Sequence, residues 1–165
     1  MALVYIGLGA NLGDRLATLR AAVRDLAEFG AVVARSSIWE TEPIGPPPDY
    51  LNAAVVLDLG PPLDDEPLAL LDALQAIERA HGRQRGLARD TPRTLDLDLL
   101  LWDGRVLDLP RLRVPHPRLH ERGFVLEPLA EVAGPRIHPL LQCSIELLRD
   151  QLPRGRRVRR LIEAL

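Results

Sequence analysis

The stretch RTLDLDLLLW, residues 93–102, changes side-chain type with a period of two, and an extended strand is the local structure that accommodates that pattern. On such a strand Thr94, Asp96, Asp98, Leu100 and Trp102 share one face, while Leu95, Leu97, Leu99 and Leu101 share the other. The leucine face has to be buried. The two carboxylates then project in parallel with their Cα atoms roughly 6.5–7 Å apart, a range at which like charges repel unless a cation or an arginine stands beside them.

Oxygen ligands with no Cys or His between them suit Mg2+, which commonly takes one or two carboxylates and fills its other positions with water and phosphate. Asp96 and Asp98 are therefore candidate metal ligands. The pair also fits a solvated sheet face matched by surface arginines, and two aspartates alone favour that second reading. Their neighbours shift the balance: Arg83, Arg85, Arg89 and Arg93 precede the strand, and Arg111, Arg113, His116, Arg118, His120 and Arg122 follow it. Guanidinium forks bind phosphate oxygens in pairs, so together these residues read as a clamp for a triphosphate. Taken singly, Arg89, Arg118 and Arg136 read as exposed solubilising charges. His81, His120 and His138 have no spacing that selects a metal.

Composition excludes several chemistries. All 21 basic residues are arginine, which rules out Schiff-base catalysis and a lysine-dependent P-loop. With 47% hydrophobic residues, 27% charged residues and a net charge of -2, the chain is globular rather than a polyanion binder. The basic run PRGRRVRR, residues 153–160, reads as a solvated helix end. A length of 165 residues suits one domain, 1–165. No apolar run approaches the ~20 residues of a membrane span, and the start lacks a basic leader, so a cytoplasmic monomer with no membrane or nucleic-acid partner is expected. The lone Cys143 reads as a small buried apolar residue.

Along the chain, residues 2–9 predict a buried strand and residues 11–13 a turn. Leu16, Leu19, Val23 and Leu26 predict a helix that Gly30 stops. The glycine stretch 7–13 departs from G-x-G-x-x-G at Leu12 and reads as a tight backbone turn. Residues 32–42 and 51–59 are β-rich, and a stiff proline loop joins them. Leu68, Leu71, Leu74 and Ile77 predict a helix over 64–81. Asp103-Gly104 predicts a hairpin that returns through 105–109, and further helices are expected over 125–132 and 140–152. The order β-α-β-β-α-β predicts an α+β, ferredoxin-like α/β sandwich, with a mainly antiparallel central sheet and helices packed on it.

Several segments together resemble the 6-hydroxymethyl-7,8-dihydropterin pyrophosphokinase family: YIGLGANLGD, SSIWETEPIG, PDYLNAAV, IERAHGRQR, PRTLDLDLLL and VPHPRLHERGFVLEPL. The resemblance implies transfer of the terminal pyrophosphoryl group of ATP to the pterin hydroxymethyl oxygen, giving AMP and the pterin diphosphate in folate biosynthesis. It implies two Mg2+ ions on Asp96 and Asp98, and catalytic roles for Arg83, Arg93, Asp96 and Asp98. It implies an ATP site formed by Gln75, Glu78, Arg83, Arg93, Leu99, Arg111, Arg113, His116 and Arg122. It also implies a pterin site formed by Thr41, Pro43, Ile44, Tyr50, Asn52, Asp96 and Phe124. Members often carry an aromatic residue, commonly Trp, where this chain reads Arg89-Asp90-Thr91. The loop 45–49 is short and proline-rich, so its closure over substrate is expected to need little rearrangement. Two other readings stand beside this one: a different Mg-dependent phosphoryl or nucleotidyl transferase, and a non-catalytic ferredoxin-like binding module.

Overall fold

Two runs are apolar on both faces, ALVYIGLGA and YLNAAVVLDL, and a strand of that kind needs cover on both sides. In the computed structural model, which describes residues 2–82 and 94–165, they form β1 (Ala2–Ala10) and β4 (Tyr50–Leu59) at the centre of the sheet. They pair antiparallel along their whole length, Ala2 opposite Leu59 and Ala10 opposite Leu51. β5 (Asp96–Trp102) lies antiparallel on the other side of β1. The outer side of β4 is shared by β2 (Gly30–Arg35) and β3 (Trp39–Thr41). β8 (Val158–Arg160) then adds to β3.

α1 (Arg15–Leu26) joins β1 to β2, and α2 (Pro67–Ala80) joins β4 to β5. With β2 and β3 acting as one interrupted strand, the unit is the expected βαββαβ arrangement on an antiparallel sheet. α1 starts where Asp14 Oδ1 accepts the Ala17 N–H at 3.1 Å, and α2 starts with Pro67 in its first turn. Both helices cover one face, where Leu19, Leu26, Leu70 and Leu74 pack on Val4, Ile6, Leu8 and Leu57. α3 (Gly123–Ala133) and α4 (Ile145–Gln151) cover part of the opposite face, over Tyr5, Val56 and Leu101. Glu131 pins α3 to the sheet, accepting the Trp39 Nε1–H at 2.7 Å and the Ser37 N–H at 2.9 Å. Among the described residues no helix is long and apolar enough to cross a membrane.

Several expectations are corrected. The pairing of β1 with β5 slips between Tyr5, which faces Leu101, and Ile6, which faces Leu99. Leu100 is thus an extra residue, and such a bulge reverses the alternation beyond it. Trp102 consequently joins the leucine face, and Leu101 joins the face of the carboxylates. On α2 the buried stripe runs through Leu70, Leu74, Ile77 and Glu78, while Leu68 remains exposed. Gly30 opens β2 instead of ending α1, since a Cβ there would lie 2.4 Å from the Asp58 carbonyl oxygen. The strand after Asp103-Gly104, β6 (Leu107–Leu109), pairs with β7 (Leu112–Val114) and not with β5. α4 begins only at Ile145, where Ser144 Oγ accepts the Leu147 N–H, and the basic run 153–160 contains β8 in place of a helix end.

Leu57 is fully buried in β4 at the centre of the helix-covered face. Leu57→Ala is expected to lower stability by about 2–5 kcal/mol in urea titrations, with the denaturant slope unchanged.

Candidate active site

The open part of the α3-covered face is made by what β1 leaves out. Gly7 and Gly9 occupy successive positions on that face, opposite Asp98 and Asp96 of β5 on one side and Ala54 and Asn52 of β4 on the other. Two rows therefore run across three strands: Asp96, Gly9, Asn52 and, beside them, Asp98, Gly7, Ala54. With strands ~4.8 Å apart, Asp96 and Asn52 stand roughly 10 Å apart across a floor that carries no side chain between them. A Cβ on Gly9 would come within 3.0 Å of Asn52 Oδ1, and one on Gly7 within 3.2 Å of the Leu100 side chain. These glycines are strand residues that keep the floor flat. The tight turn expected of this stretch is confined to Gly13, where φ is +68°.

Above the floor lies a cavity of about 300 Å3, the low end of the range for small-molecule sites. Tyr50 and Phe124 supply aromatic walls, and Thr41, Glu42, Pro43, Ile44 and Gly45 form its rim. All seven residues expected to form the pterin site, Thr41, Pro43, Ile44, Tyr50, Asn52, Asp96 and Phe124, line this one cavity, as does Asp98. Asn52 is 6% exposed and donates one Nδ2–H to Thr41 Oγ1 at 2.6 Å. That bond fixes the amide, so its Oδ1 lies over Gly9.

Arg122 lines the cavity with its guanidinium 5.5 Å from the centre of the Phe124 ring. His116 is outside the cavity lining: its backbone N–H donates to Leu100 O at 2.9 Å, and its ring Nδ1 accepts the Arg118 backbone N–H at 3.1 Å. With Nδ1 acting as acceptor, the proton of the neutral ring is on Nε2. Burial pushes the His116 pKa down to about 4; Arg122 and Arg118 push the same way, and the charge of Asp96 opposes them. The ring is therefore a neutral Nε2–H donor at pH 7.

Of the described residues expected on the nucleotide side, Arg122 alone lines the cavity. Arg111 pairs with Asp72 of α2, and Arg113 Nε pairs with Asp108 Oδ1 at 3.0 Å; both arginines are exposed. Leu99 is 4% exposed in the leucine face, and Gln75 is half-buried on α2. Glu78, 2% exposed, accepts the Leu97 N–H at 2.8 Å and ties α2 to β5. Arg83 and Arg93 lie outside the described residues, as do Arg85, Arg89, Asp90 and Thr91. Among the described residues no cluster of three or more His, Cys, Asp or Glu side chains could hold a metal by itself.

Cavity residues that the sequence reading missed include Gly7, Gly9, Glu42, Gly45 and Leu100, together with Arg118, which had read as a solubilising charge. The clue to the two glycines was their period-two placement inside an apolar strand, a pattern that marks a face left bare.

Comparison with known proteins decides the relationship. The family model described as 7,8-dihydro-6-hydroxymethylpterin-pyrophosphokinase (HPPK) matches residues 5–134. The chain belongs to this family. A 2-amino-4-hydroxy-6-hydroxymethyldihydropteridine pyrophosphokinase of Haemophilus influenzae is 39% identical over 154 residues, covering 91% of this chain and 93% of the relative. The protein of the same name from Pseudomonas aeruginosa is 45% identical over 134 residues, covering 79% of this chain and 80% of its own length. A solved HPPK-DHPS in complex with substrates superposes with a TM-score of 0.69 over 90% of this chain at 13% identity, a likeness of fold. This chain spans 43% of that longer one.

The depressed His116 pKa makes a sign prediction. An unfolded histidine, titrating near ~6.5, takes up its proton before the folded one, so His116 costs no stability above that value and lowers stability as pH falls from there towards about 4. In 15N-resolved histidine spectra the ring is expected to stay in the Nε2–H tautomer through pH 5. Arg122→Gln should raise its midpoint by removing a nearby positive charge.

Proposed function

We propose that the chain transfers the terminal pyrophosphoryl group of ATP to the hydroxymethyl oxygen of 6-hydroxymethyl-7,8-dihydropterin, releasing AMP and the pterin diphosphate, a step of folate biosynthesis. The observation that carries this reading is the row Asp96, Gly9, Asn52 beneath Tyr50 and Phe124. It joins a flat bare floor, an aromatic wall, an amide at one end and paired carboxylates at the other. A planar bicyclic heterocycle fits such a slot by stacking, with its amide-like edge on the Asn52 side chain. Its hydroxymethyl group then points towards Asp96 and Asp98. Thr41, Pro43 and Ile44 complete the pterin contacts.

The donor set suits Mg2+. Two carboxylates on one strand face, with no third acidic or His ligand clustered with them among the described residues, leave positions for water and phosphate oxygens. Asp96 and Asp98 would hold the metal, two ions with bound ATP in this reading, which supplies charge neutralisation along the triphosphate. Arg83, Arg93 and Arg122 bind phosphate oxygens through forked N–H groups, and His116 donates its Nε2–H to another. Because His116 is neutral, it adds a directed donor without competing with Arg122 for charge. Gln75, Glu78, Leu99, Arg111 and Arg113 shape the nucleotide side from α2, β5 and the β6–β7 hairpin, with Glu78 acting through the strand it anchors.

The chain's task is to place the pterin hydroxyl in line with the β-phosphorus, hold the triphosphate straight and stabilise charge as AMP departs. No covalent nucleophile is needed. We read it as working on ATP and the pterin alone, as a cytoplasmic monomer without nucleic acid or membrane.

Incubation with ATP, Mg2+ and the hydroxymethyl dihydropterin is expected to yield AMP in step with pterin diphosphate. ADP as product would point to a different phosphoryl transferase, and binding without turnover to a non-catalytic module. Asp96→Asn should lower kcat by about 100-fold or more while the fold, followed by circular dichroism, is retained.

A further inference from the structure

The strand β8 lies beyond residue 134, where the match to the family model ends, yet it pairs with β3, the strand that leads into the cavity wall. β3 has only three residues, and the chain that continues from it, residues 42–45, lines the cavity. β8 pairs with β3 from Trp39 opposite Arg160 to Thr41 opposite Val158. One residue further on, the Glu42 N–H donates to Arg157 O at 3.2 Å, and the Arg157 N–H donates to Glu42 Oε2 at 3.2 Å. The Arg157 guanidinium then reaches across to Asp49 Oδ2 at 2.7 Å. A single C-terminal residue thus holds both ends of the loop 42–49.

The surroundings reinforce that grip. Arg15 donates to Asp49 O at 2.8 Å and pairs with Glu40 Oε2 at 3.1 Å, and Arg159 takes the other oxygen, Glu40 Oε1, at 2.7 Å. Asn11 Nδ2 donates to Pro48 O at 3.1 Å. The hydrogen bond from Arg159, helped by Arg15, holds the Glu40 carboxyl below the usual carboxylate range against the effect of burial. Glu40 therefore stays charged, and the brace built on it persists, at neutral pH.

Resting on the pterin reading of the cavity, we propose that Arg157 is a positioning residue for the pterin: it clamps the two stems of the 42–49 loop and so sets how tightly the loop holds the heterocycle. It touches no reacting atom. Its ion pair is partly exposed and weak by itself, but it acts on a loop whose residues 42–45 line the cavity read as the pterin site, whereas most residues expected on the nucleotide side lie elsewhere.

The test compares Arg157→Ala, Arg157→Lys and, as a control in the same segment, the exposed Arg156→Ala. Arg157→Ala should raise KM for the pterin on the order of fivefold, with KM for ATP and the unfolding midpoint nearly unchanged. Arg157→Lys should recover part of the loss, and Arg156→Ala should behave as the parent. In ligand-free protein, amide hydrogen exchange at Glu42, Ile44, Gly45 and Asp49 should quicken in Arg157→Ala, less in Arg157→Lys and not in Arg156→Ala. Unchanged exchange and an unchanged pterin KM would overturn the proposal. So would equal losses for both substrates together with a lowered unfolding midpoint, which would mark a general loss of stability. If the parent protein makes no AMP at all, the functional reading fails, and the exchange rates still decide whether Arg157 clamps the loop.

Discussion

The reactive face depends on the register between β1 and β5. Because Gly9 faces Asp96 and Gly7 faces Asp98, each carboxylate borders a position with no side chain, and the space above the strands stays open. A one-residue slip would turn Leu8 and Leu97 into that space and bury the aspartates among the leucines. The register is held from the opposite face, where Leu95, Leu97 and Leu99 are each at most 5% exposed, and by the Leu97 N–H bond to Glu78. The bulge at Leu100 then returns Trp102 to the core. The site is thus precise because the packing beneath it is.

Much of this was legible in the chain itself. The period of two in β5 placed the carboxylates on one face, and the order of elements led to the antiparallel sheet. What escaped were features set by pairing across the sheet. Nothing in residues 96–102 announces a bulge, since Leu100 becomes the extra residue only through its partner on β1. β6 offers the pattern of a hairpin with β5, yet it pairs with β7. The run 153–160 looks like a solvated end because its arginines outnumber its apolar residues, whereas Val158 and the backbone beside it complete the edge of β3. Arg118 appeared to be a surface charge, and its contribution to the site comes partly through its backbone N–H, which fixes the His116 ring. Local composition cannot show a backbone contact of that kind.

The charges of the site fall into two groups. Arg122 and the other guanidiniums keep their charge at every accessible pH, and an arginine-only chain makes this general. His116 is the group that ordinarily titrates near neutrality, and here burial together with Arg122 and Arg118 keeps it neutral down to about pH 4. In the proposed reaction, positive charge for phosphate is supplied by residues that cannot lose it, and the imidazole supplies direction. The arrangement holds its electrostatic character across the physiological range without needing a finely placed pKa.

The cost of the paired aspartates can be weighed against what supports them. At roughly 7 Å and an effective dielectric constant of ~20, two like charges repel by about 2 kcal/mol before any neighbouring cation is counted. Burying each leucine of the opposite face contributes about 1.5–3 kcal/mol, so Leu95, Leu97 and Leu99 together offset the repulsion with a margin. The strand is therefore stable without a bound cation, and in the proposed reaction a cation carried by the triphosphate would relieve the repulsion. In that reading the repulsion between the carboxylates favours the cation itself, since the metal–triphosphate complex as a whole carries no net positive charge, and the leucine face holds both side chains in register for it.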